Sequence, residues 1–166
     1  LLAFSRINIL PNIRKFVTKG DLLMTADMKD EFIKRITAVN GSDQKQFGQM
    51  NVSQMICHCA DQFRIMFGEM DGIRRQQVDL NKLKEITMRG ETAPTVDGLD
   101  QVAGQGTKPT ELELDKIILL DYLNKFFESE ENYKFSYHPY FGDLSKGQWD
   151  RLAIYHLDHH LKQFGR

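Results

Sequence analysis

Two histidines four residues apart, His156 and His160, lie in the stretch W-D-R-L-A-I-Y-H-L-D-H-H-L-K-Q-F at residues 149–164. Wound as a helix at about 100° per residue, this stretch puts Trp149, Leu152, Ala153, His156, His160, Gln163 and Phe164 on one face, with the histidines at its centre. Two neutral imidazoles at positions i and i+4 can grip one metal ion from a single helix. The plainer alternative is a pair of core histidines that only hydrogen-bond inside the protein.

A third imidazole is available at His58, on the shoulder of the apolar stripe Val52, Met55, Ile56, Cys59, Phe63, Met66 and Phe67. A shoulder histidine is ordinarily a solvated boundary residue, but in a helical bundle the shoulder can face a neighbouring helix across a cleft. His58, His156 and His160 together offer three nitrogen ligands, the number of an open catalytic site with a position left for water or substrate. Zn²⁺ or Ni²⁺ suits such a set best, with Fe²⁺ and Mn²⁺ also admissible. His159 is rotated about 60° from the line of His156, so it reads as a surface residue or as a partner behind a ligand. His138, before Pro139 in the aromatic run Y-H-P-Y-F-G, sits on a loop that can cover the bundle end and is a pocket candidate.

The run Cys57-His58-Cys59 cannot converge on one ion, because three consecutive helical residues fan out over about 200°. For the same reason the two cysteines cannot bridge one another. Cys59 is expected in the core and Cys57 on the surface or at an interface. Two free thiols and no other cysteine fit a reducing, cytoplasmic setting. Phosphate-cradling glycine loops, a G-x-S-x-G elbow and an H-E-x-x-H motif are all missing, the last because Leu157 follows His156.

The elements that must position these residues are helical. One helix is expected over about 27–39, closed by Asn40-Gly41-Ser42, and then a loop over 40–50 with Phe47 dipping inward. The His58 helix follows, ending at Gly68. Helix three opens at the capping-box pattern Thr110-x-x-Glu113 after Pro109, and helix four at Ser145-x-x-Gln148. Leu112, Leu119, Leu120, Leu123, Phe126 and Phe127 give helix three a broad apolar face flanked by Ile117 and Ile118. Between helices two and three runs a long connection over 69–110, with a short helix expected near 80–88. Such a connection is what two parallel neighbouring helices require.

With 22 Lys and Arg against 23 Asp and Glu, the chain has no basic field to attract nucleic acid. The longest aliphatic run, 117–120, is far too short to span a membrane. Residues 1–24 read as an unassigned N-terminal extension, basic at first, and 25–166 as one all-α domain.

At M-N-V-S-Q-M-I-C-H-C-A-D and at H-P-Y-F-G-D-L-S-K-G-Q-W-D-R-L-A-I-Y-H-L-D-H-H-L-K-Q-F-G the sequence resembles the DinB-like (DinB/YfiT) superfamily of metalloenzymes, in a branch of unknown function. The resemblance implies a four-helix bundle with up-up-down-down connectivity and a divalent metal at one end, and carries the ligand role to His58, His156 and His160. Many relatives read H-R-G-Q at the last ligand; this chain reads His160-Leu161-Lys162-Gln163, so the glutamine matches and the arginine does not. Some relatives are thiol-dependent S-transferases or isomerases.

The expected function is therefore a metal-dependent enzyme acting on a small-molecule substrate, either an S-transferase using a low-molecular-weight thiol or a metal-assisted hydrolase. The competing reading is a non-catalytic metal-binding bundle that serves as an interaction or structural module. No nucleic-acid or membrane partner is expected, and a homodimer is compatible with either reading.

Overall fold

The computed structural model describes residues 23–71 and 95–166. Most of the N-terminal extension and the short helix expected near 80–88 lie outside the described residues. Among the described residues four helices form the domain: α1 (Ala26–Thr37), α2 (Val52–Met66), α3 (Leu112–Phe127) and α4 (Lys146–Lys162). None of them is long and apolar enough to cross a membrane.

The helix starts follow from local chemistry. Thr25 caps α1 by accepting from the Met28 amide. Asn51 with Gln54, and Ser145 with Gln148, form full capping boxes on α2 and α4. The box expected at Thr110 and Glu113 does not form. The N-cap of α3 is Glu111, without a side-chain cap. Thr110 instead donates from both its amide and its hydroxyl to Asp115, at 2.9 Å each. Glu113 is drawn outward to pair with Lys116 at 3.1 Å, which leaves the buried Asp115 as the inward acceptor.

The bundle is all-α, as expected, and the sense of its helices corrects the expected up-up-down-down order. Lys116, in the first turn of α3, donates to the carbonyls of Thr37 and Val39 at the end of α1 (2.9 and 3.0 Å), so α1 and α3 are antiparallel. Arg35, near the end of α1, donates to Asp158 near the end of α4 at 3.0 Å, so these two are parallel. Phe63 and Phe67, at the end of α2, lie against Tyr122 in the second half of α3, and Phe63 also against Phe126, which makes α2 and α3 parallel. The order is up-down-down-up. The physical reason is the 38–51 connection, which cannot travel the length of the bundle because it is tied to one end. There the Gln46 amide donates to the Gln163 carbonyl at 2.7 Å, and Asp43 pairs with Arg166. The long 67–111 connection does join parallel helices, as parallel packing demands. Helices α1 and α2 both pack on α3 and α4 rather than on one another.

The core contains Phe32, Ile36, Met55, Ile56, Phe63, Leu119, Leu123, Phe126, Trp149, Ala153, Ile154 and Leu157. Ile117 and Ile118, expected as flanks of the α3 core face, are exposed with Leu114. Phe47 is 47% exposed instead of dipping inward. Cys57, expected on the surface or at an interface, is buried like Cys59.

Candidate metal centre

Helices α2 and α4 bring three imidazoles together. One ring nitrogen from each of His58, His156 and His160 lies within 4.8 Å of the others. The Nε2 atoms of His58 and His156 are 2.9 Å apart, and the ring centroids of the three are separated by 4.4–4.7 Å. In α4 the histidines border the buried face and do not sit at its centre. A second stripe, Asp150, Ile154, Leu157 and Leu161, is buried beside Trp149, Ala153 and His160, and the two stripes together make the core surface. That placement leaves His58 and His156 partly accessible while His160 is buried.

All three rings are held neutral. Burial pushes each below the ordinary imidazole value, and most strongly at His156 and His160. The positive charge each would carry also repels the others. The Leu99 carbonyl and the carboxylates of Asp61 and Asp100 work the other way at His58. A neutral ring has a lone pair to give, so the electrostatics suit a ligand set.

The hydrogen bonds behind the rings are unequal. His160 Nδ1 donates to Gln163 Oε1 at 2.9 Å, which directs the Nε2 lone pair of His160 into the cluster. The Nδ1 atoms of His58 and His156 are buried without a hydrogen-bond partner. In the metal-free protein the close Nε2 pair must share one proton as N–H···N. The Nδ1 of each ring is then a buried orphan, which costs stability and which an ion on the Nε2 side would not relieve. Three nitrogens on a tetrahedral ion with bonds of about 2.0–2.1 Å stand about 3.3 Å apart. The observed spacings straddle that value, so the donor set fits a divalent ion.

The other candidates fall outside the trio. His159 stands beside it, its ring 4.9 Å from that of His160 and edge-on to Phe47 at 5.6 Å. His138 is buried with its ring 4.6 Å from Phe141 and 5.4 Å from Trp149. Its Nδ1 accepts from the amides of Tyr140 and Phe141 (3.1 and 3.2 Å), and burial lowers its pKa to about 4.

A buried carboxylate missed in the sequence, Asp61, sits one turn beyond His58. It accepts from the Thr107 amide (2.9 Å) and hydroxyl (2.6 Å), from Gln101 (3.2 Å) and from Arg64 (2.8 Å). These bonds fasten residues 99–107 over α2, with Leu99 buried. A Cβ at Gly106 would lie 2.6 Å from Asp61 Oδ2, and its φ of +74° is also one that favours glycine. The run G-L-D-Q-V-A-G-Q-G-T was the available signal, since closely spaced glycines in a loop mark tight backbone approach.

The fold and site define a four-helix bundle with a three-histidine cluster between α2 and α4. Residues 19–166 match the family described as protein of unknown function DUF1569, and the chain belongs to it. No curated protein and no solved structure matches the chain.

Proposed function

We propose that His58, His156 and His160 hold a divalent ion, Zn²⁺ or Ni²⁺ before Fe²⁺ or Mn²⁺, and that the protein is a metal-dependent enzyme of the DinB-like kind. The observation that carries this reading is the convergence of three imidazoles from two facing helices, with one ring nitrogen of each within 4.8 Å of the others. A bound ion would supply a Lewis-acid centre with a free position for a thiolate or a water. Three imidazoles contribute no negative charge, so the centre favours an anionic exogenous ligand, and a low-molecular-weight thiol meets both charge and softness. Thiol-dependent transfer to a small electrophilic substrate is the first activity, and metal-assisted hydrolysis the second.

Metal analysis of purified protein tests the ligand set. His58→Ala, His156→Ala and His160→Ala should each lose most bound metal while His159→Ala retains it. Full occupancy in His58→Ala would remove the α2 ligand. Co²⁺-substituted protein then tests the chemistry, because thiolate ligation adds a sulfur-to-metal charge-transfer band. If a small thiol produces no band and neither thiol conjugation nor ester and amide hydrolysis is detected, the protein is a binding module and not an enzyme.

A further inference from the structure

We infer that Gln163 is a positioning residue that fixes the tautomer and orientation of His160, and that Gly48 is the position that lets it do so. The inference rests on the metal reading for its purpose, but its geometry stands independently. Among the three clustered rings only His160 has its outer nitrogen satisfied, and the acceptor is the Gln163 carboxamide at 2.9 Å in a buried setting. Gln163 is the C-cap of α4 and is itself buried. Its main-chain carbonyl accepts from the Gln46 amide at 2.7 Å, which pins the residue from the loop side.

The carboxamide has no slack on its far side. A Cβ at Gly48 would lie 2.5 Å from Gln163 Nε2 and 3.2 Å from its Cδ, and Gly48 has φ +81°. Any side chain there would push the carboxamide away from His160 and strain the loop as well. The same loop is fastened to the end of α4 by the Asp43–Arg166 ion pair and by Phe47 against His159. The 43–48 segment thus backs the residue that backs the ligand.

The consequence is chemical. An Nδ1–H held by an acceptor leaves Nε2 as the free donor, already aimed at its neighbours, so no tautomer change is needed when an ion arrives. A neutral amide acceptor adds no charge behind the ring. The centre keeps the full positive charge of its ion, which a carboxylate at the same place would partly cancel.

Long-range ¹H–¹⁵N spectra of the metal-free protein read the tautomer directly. Wild type should show His160 as Nδ1–H. Gln163→Leu, of similar size but without an acceptor, should lose that state and bind metal about 10–100-fold more weakly. Gln163→Glu should restore both Nδ1–H and metal binding, while lowering the affinity of an anion such as azide for the Co²⁺ form. Gly48→Ala should reproduce the Leu variant at His160 without touching it, and if that loop variant does not fold, Gln163→Leu decides alone. Retention of Nδ1–H and of metal affinity in folded Gln163→Leu overturns the inference. If Gln163→Leu changes the tautomer but wild type binds no divalent metal, the positioning stands and the metal reading fails.

Discussion

Replacing His156 by leucine separates a metal site from a core histidine pair, because only a metal site ties the cost of the change to a bound ion. The metal-free protein carries two buried orphan nitrogens, the Nδ1 atoms of His58 and His156, behind the 2.9 Å contact of their Nε2 atoms. His156→Leu removes one of these, about 1–3 kcal/mol of penalty, and forfeits one neutral hydrogen bond of about 0.5–1.5 kcal/mol. His58 is partly accessible, so its freed Nε2 can turn to water. Metal-free His156→Leu should therefore equal wild type or exceed it by about 1 kcal/mol in urea unfolding with a chelator present.

The metal arm must then show the function that was given up. At a free-ion concentration of 100 times Kd, wild type should gain about 2.7 kcal/mol, and the variant almost nothing. For a domain of this size that is a rise in Tm of about 5–10 °C for wild type alone. A metal-free variant destabilised by more than about 1 kcal/mol, together with a wild type indifferent to Zn²⁺ and Ni²⁺, would refute the reasoning and make the trio a core feature.

Three further outcomes follow from buried groups. His138 has a folded pKa of about 4 against about 6.5 unfolded, so the unfolded chain binds more protons between those values; stability should be full above about pH 6.5 and fall by about 3 kcal/mol as pH drops to about 4. A metal-free His138→Asn variant, whose amide oxygen can accept the same two backbone N–H groups, should lose that share of the slope, and an unchanged slope would contradict the assignment. Burial pushes the Cys57 thiol up to about 12 and the Cys59 thiol further, so neither should react with a disulfide reagent at pH 8 until the protein unfolds; rapid stoichiometric labelling of native Cys57 would count against its burial. Asp61→Ala strands donors on Thr107, Gln101 and Arg64 and should cost about 3–5 kcal/mol, with faster amide exchange at Thr107 than in Asp61→Asn; equal exchange in both would mean the 99–107 segment is held by its apolar contacts instead.

What the sequence made legible here is periodic or local. The α2 stripe from Val52 to Met66 and the capping box at Ser145 depend on neighbours within a turn or two, and they appear where expected. The failures share one cause, since each depends on a residue far away in the chain. Glu113 was the local choice to cap α3, but Lys116 is held at the end of α1 and draws Glu113 outward, leaving Asp115 to Thr110. Cys57 faces away from its own helix's stripe, yet the start of α3 lies beside it, with Asp115 near enough to raise its pKa. The burial of Asp61 is not legible locally, because its partners Gln101 and Thr107 lie some forty residues downstream.

The direction of the helices is the most instructive of these, because it decides what α2 can offer α4. In an up-down-down-up bundle α2 is antiparallel to α4, so His58, in the first half of α2, lies level with the last turns of α4. That end is also where the 38–51 connection is tied down, with Gln46 and Gly48 against Gln163. The short, anchored connection after α1 thus reverses α2 and supplies the wall behind His160. A glycine in that connection, which carries no chemical signal in the sequence, and the glutamine beyond the last histidine, which the sequence puts on the histidine face, belong to the same arrangement as the three rings.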